Sequence, residues 1–400
     1  MASPKSAQGT STKLSRSPDL YNARGLALYN KKAYDRAIDD FNKAIALDPR
    51  YPKAYVNRGL ALTSTRQLDR AIADFDEFIR LAPNDSLGYL NRAVARTDKA
   101  DFEGAIADYN KAISLDPNDP FGYLNRAAAR TNKADFERAI ADYNKAISLD
   151  PKNPLALRNL AALYQDQGRL DQALVVLERA LSISKETAGS ANPDVALTLD
   201  YLASVYQKMG RLDQAIVLLK QALTIQEKAL GSEHPDVAAS LSALALLYEN
   251  QGRYSDAEPL LKRALEIRKK ALGPEHPDVA ASLNAWAALY QNEGRYSDAE
   301  HFLRQALEIR EKALGPEHPN TARAINDLAL LYAELGRYAE AEPLYEQAAS
   351  ILVKYGGPNQ PDVATVFDNL SRALAAMGRK SDAKEIVARI SKLYNKMIVS

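Results

Sequence analysis

The hydrophobic pattern along the chain consists of paired short stretches in which apolar residues recur at helical spacing, with a turn inside each pair. The pair repeats: residues 86–119 and 120–153 are identical at 27 of 34 positions, and the same frame extends back to residue 18. A proline, which cannot continue a helix, follows the second stretch of each unit. These prolines are Pro49, Pro83, Pro117 and Pro151. The pattern therefore predicts four helical hairpins over residues 18–153.

The repeat period changes near residue 154, where two glycine series begin to recur every 42 residues. The first series is Gly189, Gly231, Gly273, Gly315 and Gly357, and the second is Gly168, Gly210, Gly252, Gly294, Gly336 and Gly378. The first suits a left-handed residue that ends the second helix of a hairpin. The second, in which arginine follows each glycine, suits the turn between the two helices. The eight residues added per unit are expected to lengthen the second helix and its exit loop.

A single hairpin cannot bury its apolar face, so neighbouring units must stack into a continuous core. We expect an all-α solenoid of about ten antiparallel hairpins, or about twenty helices. The expected segments are a disordered polar tail at 1–17, four 34-residue units at 18–153, and six longer units at 154–400, of which the last acts as a C-terminal cap. No stretch is left for a separate catalytic domain.

The unit at 52–85 carries an aromatic residue, a glycine, a small residue, a second aromatic residue and a closing proline. They are Tyr55, Gly59, Ala71, Phe75 and Pro83. This pattern resembles the tetratricopeptide repeat (TPR) family, and the later motif "ALGPEHPDVAASLNAWAALY" resembles the repeats of kinesin light chains. The resemblance covers almost the whole chain from residue 18. It implies a right-handed superhelix whose first helices line a concave groove, and it implies a protein or peptide partner.

Composition excludes several other classes of partner and site. Lys and Arg number 52 against 51 for Asp and Glu, so phosphate-led binding of nucleic acid is not expected. The sequence has no cysteine, which removes disulfides, thiol nucleophiles and cysteine-based zinc sites. The N-terminus is polar and lacks an apolar run, so neither a signal peptide nor membrane insertion is expected. We expect a cytoplasmic protein without cofactor or metal, although an exported mature chain would fit the same sequence.

Three histidines, His234, His276 and His318, recur directly before a loop proline, and Asn192 and Gln360 take this position in the flanking units. Asn and Gln are poor metal ligands, and packed helices lie about 8–10 Å apart, so equivalent histidines are too distant to share a zinc ion. The Pro-Asp or Pro-Asn that follows is typical of a helix start. The histidines are therefore predicted to belong to helix caps. No catalytic constellation accompanies them, so we do not expect an enzyme.

A second recurring pair distinguishes early units from late ones. Residues 16 positions apart are Arg and Asp in the first four units: Arg24–Asp40, Arg58–Asp74, Arg92–Asp108 and Arg126–Asp142. In later units both positions are apolar, as in Trp286 and Phe302. Replacing only one partner would leave a partly buried charge unpaired. We therefore predict that the two positions touch across each hairpin, as an ion pair early and as an apolar contact late.

The candidate binding residues lie on the first helices of the hairpins. Four asparagines recur at 34-residue spacing: Asn57, Asn91, Asn125 and Asn159. This stripe resembles the asparagine ladder in the TPR region of O-GlcNAc transferase, which implies exposed amides that hold an extended peptide backbone. The alternative is that the asparagines arose by duplication and only face water. In the later units the expected lining is mixed and includes Tyr201, Asn284 and Asn326.

These observations favour a non-catalytic scaffold that binds a peptide segment or a partner protein in the groove. Two alternatives stay open at the level of sequence. The chain could be a regulatory or substrate-recruiting arm of a larger protease-like or transferase enzyme, which would require further domains in the complete gene product. It could also be a self-assembling structural solenoid, which would show concentration-dependent association.

Overall fold

The computed structural model describes residues 17–356, 361–386 and 388, and they form helices joined by short turns. The helices are α1 (Pro18–Asn30), α2 (Tyr34–Leu47), α3 (Pro52–Ser64), α4 (Leu68–Leu81), α5 (Ser86–Asp98), α6 (Phe102–Leu115), α7 (Pro120–Asn132), α8 (Phe136–Leu149), α9 (Pro154–Asp166), α10 (Leu170–Ala188), α11 (Pro193–Lys208), α12 (Leu212–Leu230), α13 (Pro235–Asn250), α14 (Tyr254–Leu272), α15 (Pro277–Asn292), α16 (Tyr296–Leu314), α17 (Pro319–Glu334), α18 (Tyr338–Gly356) and α19 (Pro361–Ala376). A further helical stretch covers 380–386.

These ranges contain no β-strand, which confirms the predicted all-α solenoid of helical hairpins. Four predicted features lie outside the described residues: the polar tail up to residue 16, Gly357, Gln360, and the end of the terminal cap.

The chain divides into two compact units, residues 1–183 and 184–400, which are called the first and the second unit below. The division falls inside α10, whereas the repeat period changes near residue 154. Odd-numbered helices are called A helices and even-numbered helices B helices. In the pairs from α1–α2 to α7–α8 and from α11–α12 to α17–α18, the A helix packs against the B helix that follows it. In the first unit, consecutive A helices also touch one another, so α1, α3, α5, α7 and α9 form one face of that unit. This face is called the A-helix face.

The extra residues of the long repeats lie in the helices. The early hairpins pair A helices of 13 residues with B helices of 14, whereas α11 and α12 have 16 and 19 residues. The exit loop has four residues in both kinds of repeat, as at 48–51 and 231–234. The expectation of a longer exit loop is therefore wrong. In the long repeats the loop stays short because the next A helix begins at a proline with a capping side chain directly before it, as at His234 and Pro235.

The recurring histidines cap the A helices, as predicted. Nδ1 of His234 accepts a hydrogen bond from the backbone N–H of Asp236 at 3.2 Å. His276 and His318 accept equivalent bonds at 3.1 Å, and Oδ1 of Asn192 does so at 2.9 Å. Among the residues that the structure describes, no cluster of three or more metal-ligating side chains occurs. The histidines therefore satisfy free N–H groups at helix starts.

The described glycines of both series have positive φ, but Gly231, Gly273 and Gly315 of the first series do not adopt the left-handed helical conformation that was expected. Those in the A–B turns, such as Gly294, have φ of +70° to +79°. Gly231, at the end of α12, has φ +92° and ψ +152°, which is outside the left-handed helical region and accessible essentially only to glycine. In the short repeats, four residues with side chains occupy the A–B turn position at φ of +58° to +62°: Lys32, Arg66, Ala100 and Ala134.

The predicted Arg–Asp pairs are present in all four short repeats. Their closest nitrogen–oxygen distances are 2.5 Å for Arg24–Asp40 and 2.6 Å for Arg58–Asp74, Arg92–Asp108 and Arg126–Asp142. Each guanidinium donates to both oxygens of its aspartate, which is the strong bidentate geometry. In the long repeats, the rings of Trp286 and Phe302 stack with centroids 5.0 Å apart. The ion-pair half of the prediction is confirmed, and the apolar half is confirmed for Trp286 and Phe302.

Three of these arginines also connect neighbouring hairpins. Nη1 of Arg58 donates to Oδ1 of Asn42 on the preceding B helix at 2.7 Å. Arg92 and Arg126 make the equivalent bonds to Asp76 and Asn110 at 2.5 and 2.6 Å. One guanidinium thus links its own hairpin to the one before it.

Candidate functional site

Consecutive A helices meet along a seam at which one position of each helix faces the next helix. Nδ2 of Asn57 on α3 donates to Oδ1 of Asn22 on α1 at 2.8 Å. The separation of 35 residues is one repeat plus one. In the second unit the same offset, 43 residues, joins Asn284 on α15 to Asp327 on α17 at 2.9 Å. Nδ2 of Asn369 likewise donates to Oδ1 of Asn326 at 3.1 Å, so the seam contact recurs in both units.

The other three asparagines of the stripe face an apolar seam position. By the same one-repeat-plus-one offset, the residues opposite Asn91, Asn125 and Asn159 are Val56, Leu90 and Leu124. These side chains cannot accept a hydrogen bond. In agreement, Nδ2 of Asn91 is buried and has no hydrogen-bond partner within the described structure. The predicted stripe therefore contains one asparagine that pairs within the protein, Asn57, and three whose seam neighbours leave their amides available.

The exposure expected for this stripe is wrong in degree. Asn57, Asn91, Asn125 and Asn159 are all half-buried, because the neighbouring A helix covers part of each side chain. Tyr201 and Asn284, predicted for the later lining, are also half-buried, and Asn326 is buried at its seam contact. The amides therefore lie at the seams between neighbouring A helices rather than on the fully solvent-exposed side of a helix.

Sequence reasoning missed a row of exposed apolar side chains one turn before the available amides. Leu87, Phe121 and Leu155 are 53%, 56% and 43% exposed. They precede Asn91, Asn125 and Asn159 by four residues, so on each helix the apolar side chain and the amide share one face. The signal was available in the sequence, since the three residues recur at the 34-residue period. They were overlooked because single exposed apolar residues are ordinary.

The second unit carries a polar row that sequence reasoning also missed. Gln226, Arg268 and Arg310 occupy one position of successive B helices, within the part by which these helices exceed the short ones. Nη1 of Arg268 donates to Ser242 and Ser282 at 3.0 and 2.5 Å. Nη1 of Arg310 is buried without a hydrogen-bond partner in the described residues. Burial lowers the pKa of both arginines, since it disfavours the charged guanidinium.

Asp200, which contacts Gln226 of this row, is half-buried, and no cation acts on its carboxyl group. Asp200 accepts hydrogen bonds from Nε2 of Gln226 at 3.0 Å and from Oγ of Ser240 at 3.2 Å. Burial raises the pKa of Asp200 to about 6, and the two hydrogen bonds oppose that shift only in part. Burial also raises the pKa of Glu249 to about 7. In the described residues neither carboxyl group belongs to a cluster of three or more metal-ligating side chains.

No helix among the described residues is long and apolar enough to cross a membrane.

Family models match most of the chain. One model, described as tetratricopeptide repeat, matches residues 152–228, 194–270, 236–312, 278–352 and 325–396. A second, described as TPR repeat, matches 25–65, 95–133 and 131–168, and a third tetratricopeptide repeat model matches 52–85. A comparison with curated proteins gave no match.

Several solved structures are similar to this chain. The crystal structure of a Podospora anserina putative kinesin light chain with nearly identical TPR-like repeats is 34% identical, covers 52% of this chain and 98% of that one, and has a TM-score of 0.45. BtubC (BKLC) from P. vanneervenii is 24% identical over 64% of this chain and 92% of that one, with a TM-score of 0.45. Yeast Tom70 is 16% identical over 94% and 92%, with a TM-score of 0.51, a likeness of fold alone.

Proposed function

Since the chain belongs to the tetratricopeptide repeat family, we propose that it is a non-catalytic protein-interaction scaffold whose A-helix face binds an extended peptide segment of a partner protein. The amides of Asn91, Asn125 and Asn159 hold the backbone of that segment. An amide side chain offers both a donor and an acceptor, so it can pair with the N–H and C=O groups of one peptide unit.

The observation that carries this proposal is the difference between occupied and unoccupied seams. The side-chain amide of Asn57 donates a hydrogen bond to Asn22, and Asn326 accepts one from Asn369. At Asn91 the opposite residue is Val56, and the buried amide nitrogen has no partner. A buried amide without a partner costs about 1–3 kcal/mol. Rotation of the Asn91 side chain out of the seam would bring this amide to the acceptor of a ligand and remove the cost, which favours peptide contact at this seam.

The other residues of the predicted site take different roles under this proposal. Asn57, Asn284 and Asn326 position neighbouring A helices and do not contact the ligand. Tyr201 occupies the equivalent position on α11, in the second unit. The binding residues proposed for the first unit are therefore Asn91, Asn125 and Asn159.

The test uses a displayed library of random peptides, each about a dozen residues long, selected on the full chain. Peptides that bind are then measured against the triple variant Asn91→Ala/Asn125→Ala/Asn159→Ala. Each lost hydrogen bond is worth about 0.5–1.5 kcal/mol, so the triple variant is expected to bind at least roughly ten-fold more weakly.

Asn326→Ala is the matched control, since it removes the same amide from an occupied seam, and it is expected to leave binding unchanged. A folded triple variant that binds the selected peptides as tightly as the wild type would contradict the proposal. Failure to select any peptide would contradict it as well.

A further inference from the structure

The apolar row beside the available amides distinguishes one kind of peptide from others. Leu87, Phe121 and Leu155 are large apolar side chains at the same repeat position of three adjoining helices, α5, α7 and α9. On α3 the equivalent residue is the charged Lys53, so the row begins at α5. Single exposed apolar residues need no explanation, but their recurrence at one position of three adjoining helices points to a binding surface. The row and the three amides together are called the apolar strip.

The apolar strip carries no charge of its own. Its members are Leu87, Asn91, Phe121, Asn125, Leu155 and Asn159. The arginines that follow two of the amides, Arg92 and Arg126, are each bound at 2.6 Å to an aspartate of their own hairpin. A charged ligand side chain would lose hydration against this strip without gaining a partner. The complementary ligand segment is therefore uncharged.

The spacing of the row selects the conformation of the ligand. Packed helices lie about 8–10 Å apart, so neighbouring side chains of the row are separated by about that distance. A polyproline II segment has three residues per turn and rises about 3.1 Å per residue, so it presents side chains on one side about every 9 Å. A β-strand presents them about every 7 Å, since alternate residues share a side. The helix spacing thus fits an apolar side chain at every third ligand residue.

We propose that the apolar strip selects an uncharged, extended segment of another protein with apolar side chains at positions i, i+3 and i+6. These three side chains seat against Leu87, Phe121 and Leu155, while the amides hold the backbone between them. This inference rests on the proposed function, because it assumes that the A-helix face binds an extended peptide.

The experiment analyses the peptides selected from the displayed random library on the full chain. Enriched sequences are expected to be uncharged over the bound segment and to carry apolar residues at every third position. A synthetic peptide of that consensus is then titrated against the wild type and against Leu87→Glu/Phe121→Glu/Leu155→Glu. The triple variant is expected to bind at least about ten-fold more weakly, since it places charges beside apolar ligand side chains. The altered residues are exposed, so circular dichroism should show an unchanged fold.

Val217→Glu is the matched control, because Val217 is an exposed apolar residue of the second unit, 54% exposed on α12. It is expected to leave peptide binding unchanged. Enriched peptides with charged side chains, or with apolar residues at every second position, would overturn the inference. If such peptides still lost affinity with the Asn91→Ala/Asn125→Ala/Asn159→Ala variant, the proposed function would stand without it.

A second copy of the chain is the competing occupant of the strip. Concentration-dependent self-association in light scattering that Phe121→Glu abolishes would identify that occupant and overturn the proposal. A monomeric wild type that binds the consensus peptide supports it.

Discussion

The short repeats of the first unit and the long repeats of the second form the same helical hairpin, but the contact between its two helices is ionic in the short repeats and apolar in the long ones. In the short repeats a bidentate Arg–Asp pair joins the A and B helices, and Nη1 of Arg58, Arg92 and Arg126 reaches the preceding hairpin. In the long repeats the same two positions are apolar, as in the stacked Trp286 and Phe302. Either chemistry joins the helices, provided that both positions change together.

The long repeats carry buried polar side chains at a different position of the hairpin. The B helices α10, α12, α14, α16 and α18 have 19 residues, instead of 14 in the short repeats. The added part of α12, α14 and α16 carries the polar row of Gln226, Arg268 and Arg310. Asp200, which accepts a hydrogen bond from Gln226 of this row, is half-buried and lacks the close guanidinium partner that the short repeats provide. Asp40, by contrast, accepts hydrogen bonds from Arg24, which lower the pKa of its carboxyl group. The two kinds of repeat should therefore respond in opposite ways to the loss of a charge.

The largest expected effect comes from breaking one ion pair of the short repeats. Arg58→Leu leaves Asp74 buried without a cation and is expected to destabilise the fold by about 3–5 kcal/mol. The double change Arg58→Leu/Asp74→Leu imitates a long repeat and should cost much less. Thermal unfolding followed by circular dichroism measures both. Equal losses in the single and the double variant would show that the two residues are not coupled.

Arg92→Leu should cost less than Arg58→Leu, which sharpens the same comparison. Asp108 also accepts from Arg96 at 2.7 Å, so it keeps a cation when Arg92 is lost. Asp74 has no second cation of this kind among the described ion pairs. A larger loss for Arg92→Leu would argue that the link to Asp76 on the preceding hairpin outweighs the pair within the hairpin.

The next effect concerns pH in the second unit. The folded-state pKa of Asp200, about 6, lies above that of an unfolded aspartate, so the folded state holds the proton more tightly. Stability from this group is present at low pH and is lost as pH rises from about 4 to about 6. Asp200→Asn, which keeps an acceptor for Gln226 and Ser240, is expected to raise the free energy of unfolding at pH 7 by about 2–3 kcal/mol.

Denaturant unfolding at several pH values, followed by the fluorescence of the single tryptophan, Trp286, would measure this effect. The difference between Asp200→Asn and the wild type should shrink towards zero near pH 4. A difference that stays constant with pH would show that Asp200 is not titrating in the folded state. Glu249→Gln should add a similar change up to about pH 7, because burial raises the pKa of Glu249 to about 7. Asp40 has the opposite sign, since its lowered pKa contributes stability that is lost on acidification.

A smaller effect separates occupied from unoccupied seams. Asn57→Ala removes the hydrogen bond to Asn22 and leaves a buried acceptor, so it is expected to destabilise by about 1–2 kcal/mol. Asn91→Ala removes an amide that has no partner in the described structure, so it should be neutral or stabilising. Paired thermal unfolding curves test this difference. Equal destabilisation by both changes would show that Asn91 has a structural partner and would weaken its role in binding.

Much of the fold could be predicted because it depends on patterns within one hairpin. Apolar residues at helical spacing define the helices, and the joint change of Arg58 and Asp74 to apolar residues in later units defines a contact. The histidine caps followed from a position shared with Asn192. The division of the eight added residues between two helices was missed, since the four-residue exit loop is fixed by the proline and cap at the next helix start.

The candidate site was predicted less completely because it lies between hairpins. The seam contact joins residues that are one repeat plus one residue apart. This offset follows from the stacking of the A helices, and aligning the repeats, which matches Asn57 with Asn91, does not reveal it. The distinction between these two asparagines therefore required the neighbouring side chain, Asn22 in one case and Val56 in the other. The recurrence of Leu87, Phe121 and Leu155 every 34 residues was visible in the sequence. It did not identify a surface until the structure showed which face of the helices these residues share.

The smallest expected effect is in the A–B turns, where the two kinds of repeat differ in one residue. Ala134 holds φ +60° at the position that Gly294 occupies with φ +76°. A residue with a Cβ atom pays about 1–2 kcal/mol in this region, whereas glycine loses more backbone entropy on folding, by roughly 0.5–1 kcal/mol. Ala134→Gly should therefore stabilise by less than about 1 kcal/mol, and Gly294→Ala should destabilise by a similar amount.

Both turn residues can be changed without loss of packing. Ala134 is exposed, and a Cβ atom on Gly294 would meet no atom within 4 Å. The comparison therefore isolates the backbone, which thermal unfolding of the two variants measures against the wild type. Destabilisation by Ala134→Gly would mean that the short-repeat turn is held by contacts beyond the turn itself.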